Sequence, residues 1–412
     1  MQEQTIRVST QTLAEKRRER DCSILVTGAT GFIGSHIAGA LLRRGCRVLL
    51  LARPDKQQGA RARIVQLLEW LGMGQKEQAR LKVVEAFMDQ PRLGLDQEVY
   101  DNLARSIDEI IHCASNTSFS ERKRPEIERA NIKGLRHLLD LAVQGRCYFF
   151  HHVSTAYVAG KKSGSCREEF VETATFTNVY EETKYLGEQL LHECCESHGI
   201  RLTVYRPSIV YGSSEDGRSL HFNALYYPLK TIVFLKNLFV KDIKENNGKR
   251  AAQMGVTMGR DGAVHLPIRI EAGNGNGLNL VPIDFLVKAF MEIMDRCLEG
   301  GVFHIVNQRT KTIDELVDYT TRYFNLEGLQ AVHKGVFDEK SRNDLEILFD
   351  TYVEAYKPYM ADVRTFNDHN TQSILEKKGI QCPDLDYEIF SKCIGYAIDT
   401  GWGTKLFGNQ NR

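Results

Sequence analysis

The feature that most constrains the fold lies in residues 23–53, where two apolar runs enclose a glycine-rich turn and a helical pattern. The first apolar run leads into Gly28, Gly31 and Gly34, and Gly45 ends the helical pattern that follows. Glycines in such a turn tolerate positive φ, allow the backbone to approach a pyrophosphate, and let the helix pack closely on the strand. The stretch therefore predicts a strand–turn–helix–strand unit that binds a dinucleotide.

Apolar runs and helical patterns alternate along the rest of the first half of the chain. Short apolar runs predict strands at residues 81–87, 109–114, 147–154 and 202–205, and the longest helical pattern between them covers residues 180–199. This alternation is typical of a parallel sheet that carries helices on both faces. We therefore predict an α/β protein with a Rossmann-type, doubly wound parallel sheet.

The character of the chain changes near residue 212. We expect residues 1–21 to form a polar N-terminal tail and residues 22–212 to form the Rossmann domain. Residues 213–412 are expected to supply a smaller, mostly helical substrate lobe that is partly interleaved with the sheet. Within that lobe, residues 248–277 are rich in glycine and are predicted to be loop.

Composition argues against several classes of function. The 54 basic and 53 acidic residues nearly balance and form no block of like charge, so we expect no nucleic-acid partner. No apolar run approaches the roughly 18–20 residues of a membrane-spanning helix. The ten cysteines show neither a CxxC nor a zinc-type spacing, so we expect no metal and a reduced, cytoplasmic protein.

The end of the second apolar run indicates which dinucleotide is bound. Arg53 stands where NAD-preferring sites usually carry an acid that accepts from the ribose 2′-hydroxyl. An arginine fork suits a 2′-phosphate instead, and Arg63 adds a second cation, so we expect NADPH. In the alternative, Arg53 only solvates a strand end, and Asp55 lies nearby. Asp89 is expected either to meet the adenine edge or to be an ordinary turn residue.

A tyrosine and a lysine four residues apart predict acid–base chemistry. Tyr180 and Lys184 fall on one face of a predicted helix, and Thr155 ends a predicted strand. A tyrosine hydroxyl titrates at about pH 10, and a nearby ammonium favours its phenolate. Thr155 is placed to hydrogen-bond the substrate oxygen. Without the nucleotide-binding context, the same spacing would indicate only a solvated helix surface.

Taken together, these motifs resemble the extended short-chain dehydrogenase/reductase superfamily. That resemblance rests on the glycine turn together with Ser154, Thr155, Tyr180, Lys184, Arg206 and Pro207. Residues 89–95, 112–115 and 152–158 narrow it further. They resemble the fatty acyl-CoA reductases and the thioester-reductase domains, whose NAD-binding region is of the male-sterility type.

The resemblance implies NADPH-dependent reduction of an acyl thioester, carried by CoA or by a carrier protein, to an aldehyde and, after a second round, to an alcohol. Tyr180, backed by Lys184 and Thr155, would protonate or stabilise the carbonyl oxygen. The residues expected to contact the cofactor are Thr27, Gly28, Thr30, Gly31, Phe32, Ile33, Gly34, Arg53, Arg63, Asp89, Ala114, Tyr180, Lys184, Pro207 and Ser208.

Two alternatives to thioester reduction remain open at the level of sequence. One is another extended-family activity, such as a nucleotide-sugar epimerase or dehydratase, or a hydroxysteroid-type dehydrogenase. The other is a cofactor-binding protein without activity, which the retained Tyr180 and Lys184 argue against. Residues 220–240 are dense in aromatic and aliphatic side chains. They are interpreted as a lid or tunnel for an acyl chain, a peripheral membrane contact, or a core helix.

Overall fold

The computed structural model describes residues 9–55, 58–172, 174–273, 277–333 and 341–408. The β-strands are β1 (Ser23–Thr27), β2 (Arg47–Ala52), β3 (Leu81–Glu85), β4 (Glu109–His112), β5 (Phe149–Val153), β6 (Gly164–Cys166), β7 (Arg201–Pro207), β8 (Ile209–Tyr211), β9 (Thr257–Met258), β10 (Val264–Ala272), β11 (Leu280–Pro282), β12 (Gly301–Ile305), β13 (Leu326–His333) and β14 (Arg364–Phe366). The α-helices are α1 (Thr10–Glu19), α2 (Phe32–Arg43), α3 (Ala60–Trp70), α4 (Gln75–Gln78), α5 (Gln97–Ser106), α6 (Arg124–Glu128), α7 (Gly134–Gln144), α8 (Val179–His198), α9 (Tyr226–Glu245), α10 (Lys249–Gln253), α11 (Ile283–Arg296), α12 (Ile313–Phe324), α13 (Asp344–Val353), α14 (Lys357–Met360), α15 (His369–Leu375) and α16 (Tyr387–Asp399).

A seven-stranded sheet in the order β12-β7-β5-β4-β1-β2-β3 organises the first half of the chain. All of its neighbouring strands are parallel. Parallel sheets are covered on both faces, and β4 and β5 accordingly consist of buried residues throughout. The predicted doubly wound α/β fold is confirmed. The strand order reverses beside β1, and such sheets bind ligands in the crevice at the carboxyl ends of the strands flanking this point.

The second half of the chain is divided between this sheet and a core of its own. β12 pairs with β7 and forms an edge of the large sheet. β9, β10 and β13 form a separate three-stranded sheet, which shares a hydrophobic core with α9, α12, α13 and α16. The two halves of the chain are therefore interleaved through β12. The domain bounds at residues 22–212 and 213–412 stay a prediction.

Two strands of the second half contradict the sequence-based expectation. β10 lies in the region that we predicted to be loop, and β13 lies in the region that we predicted to be helical. β10 alternates between buried and half-buried residues along its whole length, which is the pattern of a strand with one covered face. Pro267 and the flanking glycines obscured that pattern. Gly328 has a φ of 79° within β13, and a glycine inside a strand weakens its sequence signal.

The N-terminal segment is not the polar tail that the sequence predicted, because its described part forms helix α1. Leu13 is fully buried, and the Arg17 guanidinium donates to both oxygens of Glu109 at 2.9 and 2.7 Å. Although burial opposes ionisation of Glu109, the charge of Arg17 and a hydrogen bond from His151 lower its pKa to about 2. Leu13 and the ion pairs Arg17–Glu109 and Lys16–Asp108 hold the helix, and none of them produces a visible hydrophobic periodicity.

Much of the apolar segment 220–240 forms helix α9, which begins at Tyr226. The inner face of α9 carries Leu229 and Ile232 into the core, while Phe234 and Leu238 on the outer face are 50% and 41% exposed. The interpretation as a core helix therefore holds for one face. Among the described residues, no helix combines the length and apolar character needed to cross a membrane.

Candidate functional site

The glycine turn between β1 and α2 has the geometry of a cradle for a negatively charged group. Gly28 has a φ of 72°, and a Cβ there would lie 2.5 Å from the backbone nitrogen of Ala114. A Cβ on Gly34 would lie 2.3 Å from the Gly28 oxygen, so only glycine permits this contact between helix and turn. Gly31 caps α2 without a side-chain hydrogen bond, which leaves the first N–H groups of the helix available. The turn therefore fits the pyrophosphate of a dinucleotide.

The residues expected at the adenosine end lie at the carboxyl ends of β2 and β3. Arg53 directly follows β2 and is exposed, and its guanidinium has no partner among the described residues. Arg63 donates to the Arg53 carbonyl at 2.7 Å and pairs with Asp55 at 3.1 Å. Asp89 is half-buried in the turn after β3. Arg53 therefore has a guanidinium available for a phosphate, whereas the charge of Arg63 is already compensated in part by Asp55.

The remaining cofactor-contact predictions divide into surface and interior positions. Thr30 and Ile33 are half-buried on the turn and the first residues of α2, and Phe32 is nearly buried between them. Thr27 is fully buried, and its hydroxyl lies 2.7 Å from His112 Nδ1 and accepts from the Ala114 N–H at 3.3 Å. Thr27 and Ala114 therefore fix the turn from inside the sheet.

The three predicted catalytic residues lie on two neighbouring elements. Tyr180 and Lys184 are on the first two turns of α8, and Thr155 follows β5. The Thr155 hydroxyl accepts from the Tyr157 N–H at 3.3 Å and interacts with the Tyr180 side chain. Burial raises the pKa of Tyr180 to about 12, and the Thr155 hydrogen bond only partly opposes this. A phenol that keeps its proton is the starting form that a general acid requires.

Lys184 faces β5, which corrects our expectation that its charge lowers the Tyr180 pKa. Its ammonium group donates to the Val153 carbonyl at 2.7 Å and lies 3.3 Å from His152 Nε2. Burial lowers the pKa of Lys184 to about 8, with the Glu188 charge acting in the opposite direction. Desolvation therefore dominates the ionisation of both Tyr180 and Lys184.

Two serines beside the catalytic residues differ in whether their hydroxyls are engaged. The Ser208 hydroxyl donates to Asn279 Oδ1 at 2.6 Å, so it is already committed to a structural hydrogen bond. Ser154 is 3% exposed, and its hydroxyl has no partner among the described residues. Because Ser154 also lines the cavity beside Tyr180, its hydroxyl is available to a bound ligand. Sequence reasoning assigned the cofactor contact to Ser208 and gave Ser154 no role.

Asn131 is a site residue that sequence reasoning missed. It lies in a π-helical turn, Arg129–Lys133, that joins α6 to α7, and it is 5% exposed. Its amide donates to the Thr183 hydroxyl at 2.9 Å, and its carbonyl oxygen accepts from the Asn116 N–H at 2.7 Å. Asn131 thus ties the loop after β4 to the catalytic helix. The sequence signal that could have identified Asn131 is a polar residue at the start of an otherwise apolar helical face.

A cavity of about 280 Å³ is lined both by the predicted catalytic residues and by residues from the second half of the chain. At its catalytic end it is lined by Ile33, Thr117, Phe119, Ser154, Thr155, Tyr157, Tyr180, Pro207 and Ser208. Beyond them, the wall is mostly aliphatic and comes from α9, the three-stranded sheet, α12 and the segments just before α9 and β11, through Leu225, Leu229, Ile232, Ile270, Leu278, Ile313, Leu316, Val317 and Leu329. The cavity therefore joins the predicted catalytic residues to an apolar pocket.

An aromatic wall made by Phe119, from the loop after β4, and Tyr359, from α14, closes this cavity near Tyr180. The Tyr359 ring stacks on Phe119 at 5.5 Å, and Phe119 lies 5.9 Å from the Tyr180 ring. The Tyr359 hydroxyl donates to Glu181 at 2.7 Å and accepts from Asn178 at 2.7 Å. Glu181 is fully buried, so α14 is anchored to the first turn of the catalytic helix.

The other reactive groups near the site have structural roles. The Arg206 guanidinium is 1% exposed and donates to both oxygens of Glu188 at 3.0 and 2.6 Å, which joins β7 to the catalytic helix. Burial raises the pKa of Cys113 to about 12, so its thiol keeps the proton that a nucleophile must lose. Within the described ranges, no group of histidine, cysteine and carboxylate side chains is arranged to hold a metal ion.

Comparisons with known proteins agree with this geometry. A family model described as "Male sterility protein" matches residues 26–290. The chain is 25% identical over 410 residues to a linear gramicidin synthase of Brevibacillus parabrevis, and the match covers 94% of this chain and 7% of that protein. Across the curated relatives compared, the chain spans between 4% and 30% of their length.

Solved structures share the fold over nearly the whole chain. The terminal R domain of the myxalamid PKS-NRPS pathway superposes with a TM-score of 0.73 at 23% identity, covering 92% of this chain and 91% of that one. UDP-glucuronic acid 4-epimerase from Bacillus cereus, in complex with NAD, superposes with a TM-score of 0.58 at 18% identity, covering 94% and 98% of the two chains. Both likenesses concern the fold.

Proposed function

The chain belongs to the Male sterility protein family, an NAD-binding branch of the extended short-chain dehydrogenases/reductases, and from this premise we propose that it uses NADPH to reduce an acyl thioester to an aldehyde. The observation that carries the proposal is the continuity of the cavity, from Thr155 and Tyr180 at one end to aliphatic side chains at the other. An apolar acyl group fills such a pocket while its carbonyl stays beside the two hydroxyl groups. The likeness to a terminal R domain of a PKS-NRPS pathway supports this assignment.

The side chains of this site support a division of labour in the reduction. The Tyr180 phenol, protonated and beside Thr155 at the cavity, would donate to the carbonyl oxygen as negative charge develops there. Lys184, whose ammonium group is held by the Val153 carbonyl, would contact the bound cofactor instead of the phenol. Bound NADPH supplies the hydride, which yields a hemithioacetal whose C–S bond then breaks to give an aldehyde and a free thiol. The aromatic wall of Phe119 and Tyr359 would keep water away from the reacting carbon.

The rim of the cavity bears on how the acyl group is carried to the site. CoA and a carrier protein both present the acyl group as a pantetheine thioester. The apolar pocket recognises the acyl group, which is the same on either carrier. The catalytic end of the cavity is rimmed by Thr117 and Asn223, both of which are exposed. We propose that this rim admits the pantetheine arm, so that acyl-CoA and acyl-carrier thioesters both serve as substrates.

Replacing Arg53 by aspartate is expected to reverse the preference between cofactors. The exposed guanidinium at the end of β2 would lose its ion pair with the 2′-phosphate, and hydrogen bonds to charged groups contribute about 1.5–3 kcal/mol. The KM for NADPH should therefore rise by roughly 10- to 100-fold, while the KM for NADH stays unchanged or falls. Steady-state kinetics with both cofactors measure this. Arg105→Asp, the same charge change on the exposed face of α5, is the control. Equal effects on the two cofactors would contradict the assignment of Arg53.

The function is tested by turnover of acyl thioesters with detection of both products. Purified protein is supplied with NADPH and acyl-CoA, acyl-carrier thioester or UDP-glucuronic acid, the last because an epimerase shares the fold. The proposal expects NADPH oxidation and thiol release with the thioesters only. Conversion of the sugar nucleotide without any thioester turnover would contradict it.

A further inference from the structure

Two buried histidines lie side by side beneath the catalytic lysine. His112 on β4 and His152 on β5 are register partners on neighbouring parallel strands, and they are 1% and 2% exposed. Their rings stack with centroids 5.3 Å apart and planes 19° apart. Neither side chain lines the substrate cavity. The pair is therefore separated from substrate, and any functional role has to act through another residue.

Lys184 is the residue through which this pair reaches the site. Its ammonium group is within 3.3 Å of His152 Nε2 and donates to the Val153 carbonyl at 2.7 Å. An ammonium carries three donors, so with two of them directed at β5 one remains for a bound ligand. The two contacts to β5 thus fix the position of the ammonium group.

The charges around Lys184 leave the imidazole of His152 as a neutral acceptor. Burial, together with the Lys184 charge, holds the pKa of His152 well below its ordinary value, and burial lowers that of His112 to about 3. Glu188, on the same helix as Lys184, is already paired with Arg206 from β7. Cys113, at the end of β4, keeps its proton because burial raises its pKa to about 12. Hence no free carboxylate among these groups competes for the ammonium.

The position of the single imidazole proton on His152 depends on the charge of Lys184. A neutral imidazole has one N–H and one lone pair, and an ammonium donor at Nε2 requires the lone pair there. The proton then resides on Nδ1, which has no hydrogen-bond partner among the described residues. An uncharged lysine accepts from Nε2–H instead and leaves only a lone pair at Nδ1, which is tolerated better in a protein interior than an unpaired N–H.

We propose that His152 is a positioning residue for Lys184: its Nε2 lone pair anchors the ammonium to β5, and its ring proton moves to the other nitrogen when Lys184 loses a proton. His112 fixes the ring plane by stacking and is itself held by the 2.7 Å contact with the Thr27 hydroxyl beside the glycine turn. The catalytic role of Lys184 belongs to the proposed function, so the activity part of the inference rests on it. The coupling between the charge of Lys184 and the tautomer of His152 does not depend on the proposed function.

The variants His152→Leu and His152→Gln separate an acceptor role from a packing role. Leucine removes the acceptor that stabilises the ammonium, so the pKa of Lys184, already lowered to about 8 by burial, should fall by about one further unit. Because the charged form is the active one, the high-pH limb of kcat/KM should move to lower pH by the same amount. Glutamine carries an amide oxygen of similar reach and should restore the limb to within about 0.3 of a pH unit.

The tautomer is read directly in the wild-type protein, without any turnover. Ring ¹⁵N shifts of His152, assigned by their loss in His152→Gln, should report protonation at Nδ1 below the Lys184 pKa and at Nε2 above it. Selective ¹³C labelling of lysine gives the Lys184 titration itself, and its midpoint should coincide with the change of tautomer.

Each outcome of these measurements bears on the inference. Protonation of His152 at Nε2 while Lys184 is charged would overturn it, and so would an unshifted Lys184 titration in a folded His152→Leu protein. If His152→Leu does not fold, the wild-type ¹⁵N measurement decides. Failure of the wild-type enzyme to reduce any thioester would contradict the proposed function and leave these NMR results valid on their own.

Discussion

Tyr180→Phe is expected to lower kcat for thioester reduction by roughly 100- to 10,000-fold, the range by which a positioned general acid contributes. The variant removes only a hydroxyl group, and the ring keeps its contact with Phe119, so the substrate cavity retains its shape. The dissociation constant for NADPH should change by less than about fivefold, since a single neutral hydrogen bond contributes about 1 kcal/mol or less. Stopped-flow single-turnover kinetics with NADPH, together with fluorescence titration of NADPH, measure the two quantities separately.

Tyr185→Phe is the matched control for this prediction. Tyr185 lies on the same helix, and its hydroxyl donates to the Glu172 carbonyl at 2.7 Å, outside the residues that line the cavity. Its removal should leave kcat essentially unchanged. Comparable losses in the two variants would mean that the Tyr180 effect comes from disturbance of helix α8, and the assignment of the proton donor would then be wrong.

Leu229→Trp is expected to convert the enzyme into one that accepts only short acyl groups. Leu229 lies on the inner face of α9 and lines the apolar part of the cavity, so the indole occupies space that a long acyl chain needs. Each methylene that is denied burial costs about 0.8 kcal/mol, and the loss of four corresponds to roughly a 200-fold lower kcat/KM. Values for acetyl and butyryl thioesters should change by less than about threefold, because these chains end before the indole.

The control for the cavity prediction is the same substitution on the other side of the helix. Leu238 is 41% exposed on the outer face of α9, so Leu238→Trp adds the same volume outside the cavity. It should leave the dependence of kcat/KM on chain length unaltered. A uniform loss for all chain lengths in Leu229→Trp would instead indicate a folding defect, and unchanged long-chain activity would show that the acyl group binds elsewhere.

The parts of the molecule that the sequence predicted are those governed by local backbone rules. The glycine turn was predictable because Gly28 adopts a positive φ and because a Cβ on Gly34 would lie only 2.3 Å from the Gly28 oxygen. The alternation of apolar runs and helical patterns likewise led to the parallel sheet. The Tyr180–Lys184 spacing could be assigned to one helix because the period of the α-helix fixes which residues share a face.

The parts that were missed depend on contacts between residues far apart in the chain. Tyr359 reaches Glu181 across 178 positions, and Arg17 reaches Glu109 across 92, so neither pair leaves a local pattern. The ionisation of Tyr180 was misjudged for the same reason: an adjacent ammonium was expected to lower its pKa, whereas burial, which depends on packing between elements such as the contact with Phe119, raises it. Strand β10 has an alternating pattern of buried and half-buried residues, which Pro267 and the flanking glycines concealed in the sequence.

The measurement that tests the proposed function most directly is the ratio of thiol released to NADPH oxidised with a long-chain acyl-CoA as substrate. Thiol is quantified with a chromogenic disulfide and aldehyde by trapping as a hydrazone, in the same reaction that follows NADPH absorbance. We predict that thiol and aldehyde appear together, with one thiol released per NADPH, or per two NADPH where the alcohol is formed. Thiol release without NADPH consumption, or NADPH-dependent conversion of a sugar nucleotide with no thiol release from any thioester, would contradict thioester reduction.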